Sequence, residues 1–353
     1  MNRCAGTSLF SQKEARMSKT ALVIGDGYMP VDAMTPLNAL APDLEVRFRS
    51  VDPDDRPKLE GIREFQGSPD AISSWLTDES VLVVHAAPVT RVLLEAHPHV
   101  RMVACLRGGP VNIDVAAARN LGVVVTNTPG KNAESVTDLT LVYIHSLLRG
   151  IGAAQNSVKE RASLGETHLD STFEGGKWIA REPRGLTVGL VGYGAIGRLV
   201  AREAVSVGMT VVAHDPYFLG DAGPVELVDL ATLAARSDVV SIHAKYTPET
   251  HHIIDSNFVT TMKSGAVLIN TAREGLVDEQ ALVDGLMSGR VAGIALDVCE
   301  PNGLWPALAA MPNVILTPHL GGATLQTQQR GLAMAIADIR LFLAGKPVAH
   351  LAS

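Results

Sequence analysis

At 353 residues the chain is too long for one ordinary domain and suits two. Hydrophobic residues make up 46% of it and charged residues 19%, enough for a large core and incompatible with global disorder. The formal charge of −7, with no long basic run, argues against a nucleic-acid or membrane-surface partner. Cys4, Cys105 and Cys299 are scattered in a way that suits neither disulfides nor zinc, so no metal is expected and a reducing, cytoplasmic setting is the simplest. No apolar run reaches the ~20 residues of a membrane helix. Residues 1–17 are polar, lack the apolar core of a signal peptide and end at Met17, just before the first strand-like run. They are expected to be a mobile tail, either an upstream start or an appended segment.

In chain order, short β-branched runs alternate with longer helical patterns. The first set falls at 20–26, 44–50, 81–87, 100–106 and 123–127. The second falls at 187–192, 209–214, 238–243, 266–271, 291–297 and 313–317. The runs are almost continuously apolar, as strands buried on both faces of a parallel sheet are. Strand–helix alternation in two sets predicts an α/β protein with two doubly wound parallel-sheet domains. The expected boundaries are 18–125 with 322–353 for the first domain and 126–321 for the second. A mostly uncharged helical pattern at 133–150 lies between the sets, with Asn127 or Asn132 to cap it and Gly150 and Gly152 to end it. Its apolar character predicts either a spine between domains or an oligomer contact. The stretch 163–184 is polar and glycine-containing and looks like a connector. A last helix, about 325–343, is expected to return to the first domain.

The run Thr187-Val-Gly-Leu-Val-Gly-Tyr-Gly-Ala-Ile-Gly197 is a strand followed by Gly192-x-Gly194-x-x-Gly197 and then a helix. Gly192 permits the tight turn, Gly194 lets the backbone approach a pyrophosphate, and Gly197 lets helix and strand pack closely. Ala195 and Ile196 open the helix whose N-terminus faces the phosphates. The next strand ends at Asp215, about where an acidic residue meets the adenosine ribose, ~20 residues on. An Asp there repels a 2′-phosphate, and Pro216 and Tyr217 follow rather than an Arg. NAD is the expected cofactor; the competing reading is a structural turn beside a surface Asp.

Three polar residues follow strands of the second set: Arg273, Glu300 and His319. Ligands bind beyond the carboxyl ends of such strands. A guanidinium can hold a carboxylate by two hydrogen bonds. An imidazole can exchange a hydroxyl proton near neutral pH. A carboxylate on its other ring nitrogen would fix the tautomer. Residue types alone also allow a structural histidine and a surface Arg273–Glu300 ion pair.

The chain resembles the D-isomer-specific 2-hydroxyacid dehydrogenase family. The resemblance is carried by Asn127-Thr-Pro-Gly-Lys-Asn-Ala-Glu134, the glycine run, Ser241-Ile-His243, Thr247-Pro-Glu-Thr250, Asn270-Thr-Ala-Arg273, Leu296-Asp-Val-Cys-Glu-Pro301 and Asn313-Val-Ile-Leu-Thr-Pro-His-Leu-Gly-Gly-Ala-Thr324. These segments stand in the family's order across most of residues 100–340. The resemblance implies a Rossmann NAD-binding domain and a flavodoxin-like substrate domain, hydride exchange between NAD(H) and a small D-2-hydroxy or 2-keto acid, and a homodimer formed largely through the cofactor domain and the 133–150 helix. It assigns Arg273 to substrate binding, His319 to acid/base work and Glu300 to the imidazole's carboxylate partner. It places His243, Thr271, Ala272, Asp297 and Gly322 on the cofactor, and Gly108 and Gly109 on the substrate carboxylate. Two departures stand out. Cys299 leads directly into Glu300-Pro301, where the family usually has extra residues. Arg107 brings a positive charge into the substrate loop, either for a second anionic or polyhydroxylated group or merely towards solvent. Lys245-Tyr246, in place of an apolar pair, raises the same question. A second function on this scaffold is a non-catalytic NAD-sensing regulator of the corepressor type.

Overall fold

The structure is a computed structural model and describes residues 19–40, 43–170, 172–299 and 303–352. The expected tail at 1–17 lies outside these residues. The chain forms two compact units. One holds the described residues up to Lys131 together with those from Gln328 onward; the other is Asn132–Thr327.

The first unit has strands β1 (Thr20–Gly25), β2 (Glu45–Ser50), β3 (Val81–Val84), β4 (Met102–Cys105) and β5 (Val124–Thr126). All pairings are parallel and the spatial order is β2-β1-β3-β4-β5. β1, β3 and β4 are buried along their whole length, which explains their unbroken apolar sequence. One face of the sheet packs Leu22, Ile24, Leu82, Val84 and Val103. The other packs Ala21, Val23, Val81, Val83 and Met102 against Leu332, Ala335 and Ile339 of the final helix, Leu325–Leu343. Short helices start where a side chain accepts an otherwise unpaired backbone N–H: Thr90 from Leu93 and Asp114 from Ala117.

The second unit has β6 (Thr187–Val191), β7 (Thr210–His214), β8 (Glu226–Leu227), β9 (Val239–Ile242), β10 (Ala266–Asn270), β11 (Val291–Leu296) and β12 (Val314–Leu316). They lie in the order β12-β11-β10-β9-β6-β7-β8, again all parallel. β8 has no counterpart among the expected runs. It is two residues long and exposed at both, so only its pairing with β7 makes it a strand.

The helix Ala133–Leu148 answers the question posed by its apolar sequence. It buries Val136, Tyr143, Ile144 and Leu148, and the last three join Val188, Leu190, Val200 and Ala204 in the core of its own unit. Most of its apolar side chains are therefore covered within the unit, while Val142 stays 56% exposed. Gly150, at φ +62, ends that turn of chain, and a further helix, Ile151–Ser163, starts at once and carries Gly152 inside it. No residue of this second helix is buried. The division between units falls slightly later than 125/126. Thr128 N–H donates to Arg107 O at 2.8 Å, and the Lys131 ammonium donates to Leu106 O, which keeps the 127–131 stretch on the first unit. Among the described residues no helix is long and apolar enough to cross a membrane, and no cluster of ligating side chains suits a metal ion.

Candidate active site

In the second unit the strand order reverses between β6 and β9, and the glycine run leaves β6 at that point. Gly192 has φ +99, and a Cβ there would stand 2.5 Å from Ala244 N and 2.7 Å from the His243 carbonyl carbon. Only glycine allows this turn to pass so close to the end of β9. A Cβ on Gly197 would lie 2.3 Å from Gly192 O, which is the close helix–strand contact the motif requires. Gly194 differs: nothing stands within 4 Å of its Cβ position, leaving open space at the start of helix Ala195–Ser206. Ala195 is exposed beside it, while Ile196 turns towards the core. This combination of a crowded turn and an open helix N-terminus fits a pyrophosphate.

Asp215 follows β7 and is tied back to the turn. Its Oδ2 accepts Tyr193 N–H at 2.8 Å and its Oδ1 accepts Tyr217 N–H at 3.0 Å. The carboxylate is thereby held at the edge of the glycine loop. At the end of β9, a hydrogen bond of 2.9 Å joins His243 Nε2 and Ser241 Oγ. The residue is half-buried overall, but its ring is enclosed, and burial pushes it down to about 4, so the imidazole is neutral at pH 7.

Arg273, Asp297 and His319 follow β10, β11 and β12, three adjacent strands. Buried Asn270 shapes the first of these loops. Its amide donates to Arg273 O at 2.8 Å and its carbonyl accepts Ala272 N–H at 3.0 Å. Arg273 itself is exposed, with Nη1 donating to Ala272 O at 2.8 Å. Thr271 is buried against Thr140, Oγ1 to Oγ1 at 3.4 Å. Asp297 is buried, and its carboxylate faces the loop that carries His319. His319 is exposed and adopts φ +58, the left-handed region that few non-glycine residues occupy. Gly322 is half-buried, with its carbonyl accepting Thr324 N–H. Glu300 lies outside the described residues.

The first unit carries its own polar groups at the carboxyl ends of β1, β3 and β4. Asp26 and His85, which sequence reasoning missed, are the first residues past β1 and β3. Their position directly after buried strands was the available signal. Asp26 Oδ2 lies 3.1 Å from His85 Nδ1 and accepts Ala86 N–H at 2.7 Å; Oδ1 accepts Tyr28 and Met29 N–H. Tyr28 stacks on the imidazole with centroids 5.2 Å apart. Burial alone would raise the Asp26 carboxyl, but His85 and the backbone donors hold it below its usual range. Burial pushes His85 down despite the pull of Asp26. In the loop after β4, the Arg107 guanidinium pairs with the Glu64 carboxylate and donates to Glu64 O at 2.7 Å. Its charge is thus already balanced within the unit. Gly108 and Gly109 are exposed, and Asn127 Nδ2 donates to Gly108 O at 2.7 Å. Fully buried Asn112 donates to His85 O and Ala87 O and so joins the ends of β3 and β4.

The second unit is thus a Rossmann sheet with a dinucleotide turn at its switch point and a basic and an imidazole side chain further along the same edge. Residues 141–321 match the family described as "D-isomer specific 2-hydroxyacid dehydrogenase, NAD binding domain". The chain belongs to that family of oxidoreductases, and NAD is its cofactor. It is similar to a hydroxypyruvate reductase of Thermotoga maritima, 36% identical across 74% of this chain and 84% of that protein. It is also similar to a D-3-phosphoglycerate dehydrogenase of Mycobacterium bovis, 36% identical across 94% of this chain but only 58% of that one. A solved Thermus thermophilus protein matches with a TM-score of 0.75 and 29% identity, over 94% of this chain and 100% of that chain.

The Asp26–His85 pair makes a pH prediction. Because the folded protein holds His85 below its unfolded value of 6.5, the unfolded chain takes up the proton first. Stability should fall as the pH drops below 6.5; the Asp26 contribution is lost only further down, beneath its unfolded value of 3.8. Melting curves at pH 7 and pH 5 should show the decline. His85→Gln should make it shallower without abolishing it, since buried His243 contributes in the same direction, and an unchanged slope in that variant would assign the whole effect elsewhere.

Proposed function

We propose that this chain interconverts a small D-2-hydroxy acid and its 2-keto acid, with Arg273 binding the substrate carboxylate and His319 exchanging the hydroxyl proton. The observation that supports this most is the placement of both residues at the carboxyl edge of the sheet whose β6 turn is built for a dinucleotide. NAD(H), when bound, takes up or supplies the hydride at the substrate's C2. A protonated His319 would neutralise the charge developing on the carbonyl oxygen during reduction, and a neutral one would accept the proton during oxidation. Glu300 is the carboxylate that the family resemblance pairs with it. On the same resemblance, Thr271, Ala272 and Gly322 line the nicotinamide end and His243 borders the cofactor turn. Gly108 and Gly109 offer exposed backbone to a carboxylate. Arg107, already balanced by Glu64, acts as a brace for its loop in this reading. No observation favours the non-catalytic regulator. Free Cys105 and Cys299 suit a reducing, cytoplasmic setting.

Initial rates on a panel of 2-keto acids with NADH, headed by hydroxypyruvate, test the assignment. His319→Asn keeps a side chain that tolerates the left-handed region. It should lose about a thousandfold in kcat while NADH binding, followed by fluorescence, persists. Arg273→Ala should lower kcat and raise KM for the keto acid together, since it removes both the grip on the substrate and an orientation and polarisation that are strongest in the transition state. Wild-type turnover in His319→Asn would sink the mechanism.

Coenzyme choice follows Asp215. Its carboxylate is fixed by Tyr193 and Tyr217 and cannot easily swing away from a 2′-phosphate. NAD should be preferred over NADP about a hundredfold or more in kcat/KM, a gap on the order of 3 kcal/mol. Asp215→Ser should narrow it, and equal use of both coenzymes by the unaltered protein would refute the role.

A homodimer through the cofactor domain is part of the proposal, with the helix Ala133–Leu148 offering Val142 to it. The following stretch extends that surface: Ile151, Leu164, Phe173 and Ile179 are all exposed, the last at 91%. Light scattering at micromolar concentration should give twice the chain mass, and Phe173→Asp with Ile179→Asp should shift it to the monomer. A monomer before mutation would rule the dimer out.

A further inference from the structure

His319 is held by contacts outside its own loop as well as within it. A histidine at φ +58 is uncommon, and within its own loop His319 N–H reaches only Thr317 O, at 3.0 Å. Asp297, at the end of neighbouring β11, supplies the constraint. Its Oδ1 accepts Leu320 N–H at 2.7 Å and Thr317 Oγ1–H at 2.5 Å, and its Oδ2 accepts Gly321 N–H at 2.7 Å. The Asp297 backbone carbonyl accepts His319 N–H at 3.0 Å. One buried residue therefore receives hydrogen bonds from both sides of His319 and from His319 itself. The Thr317 hydroxyl, having given its proton to Asp297, accepts one from Tyr143 OH, which also lies 3.5 Å from Asp297 Oδ1. Tyr143 stands on the helix Ala133–Leu148 and is 2% exposed. Burial pushes its hydroxyl up to about 12, so it remains a donor throughout the working pH range.

We propose that Tyr143, Thr317 and Asp297 form a clamp that positions His319 for proton exchange, linking the acid/base residue to the rigid core helix of its own unit. All three are positioning residues and none moves a proton to or from substrate. The clamp rests on the reading of His319 as the acid/base group. Resemblance places Asp297 on the cofactor; here both of its oxygens already accept hydrogen bonds from the His319 loop. A phenol at 143 and a hydroxyl at 317 are required only because they sit on that carboxylate.

The test uses the full-length protein, NADH and the fastest 2-keto acid of the panel. Tyr143→Phe and Thr317→Val each delete one hydroxyl, and each should lower kcat about fivefold, the worth of one hydrogen bond. Their double variant should lose little more than either alone, because they act through one network. Thr317→Ser should restore most of the rate. Asp297→Asn, whose NH2 would face a backbone N–H, should lose about a hundredfold. In every case NADH affinity should stay within twofold and the melting temperature should stay well above the assay temperature. The Cε1–H resonance of His319, assigned by its absence in His319→Asn, should broaden or shift in Tyr143→Phe. Unchanged kcat in both hydroxyl deletions would overturn the clamp, as would a loss confined to NADH affinity. His319→Asn, run alongside, separates the two ideas. Retained turnover there removes the reading on which the clamp rests, whereas lost turnover with normal hydroxyl deletions removes the clamp alone.

Discussion

Parallel strands that are covered on both faces leave only their ends for chemistry, and that constraint organises this protein. β1, β3, β4, β9 and β10 are buried along their full lengths. No side chain on them can reach a ligand. The first residue able to do so comes one or two positions after the last ladder hydrogen bond. Asp26, His85, Asp215, His243, Asp297 and His319 all stand in such places. The same geometry explains why backbone amides and glycine turns share these edges: the chain must leave the sheet there, and the departing loops carry polar backbone that needs partners.

Burying charge at these edges is tolerated because Asp26, Asp297 and Lys131 are each hydrogen-bonded locally. Asp26 takes three backbone N–H donors and His85. Asp297 takes two backbone donors and a hydroxyl. The Lys131 ammonium rests on a carbonyl at the end of β4, and burial pushes it down to about 8. A carboxylate so bonded is less available for proton transfer but holds a loop well. The hydrogen bonds offset the cost of desolvation and at the same time fix the loops that donate them.

Glycine and left-handed backbone divide the second unit's edge into two kinds of turn. Gly192 is where sterics forbid any side chain, because β9 lies under it. His319 is the reverse case, a position that glycine would suit better but that keeps its imidazole because neighbouring Asp297 compensates for the strain.

Much of this was written in the sequence. Unbroken apolar runs reported strands sealed on both faces, and their alternation with helical patterns reported two parallel sheets. Glycine spacing with Asp215 reported the dinucleotide turn, and ordered short motifs reported the family. These signals are local: each depends on residues adjacent along the chain. Tertiary structure decided the rest. It made the two-residue β8 a strand through β7, and it turned the apolar Ala133–Leu148 helix into a core element of its own unit. It set Arg107 against Glu64, 43 residues away, and paired Asp26 with His85 across 59 residues. It brought Tyr143 to Thr317, 174 residues apart. Such pairings leave no periodic trace, because either partner alone is an ordinary polar or aromatic residue. Each becomes a pair only when folding brings distant parts of its own unit together.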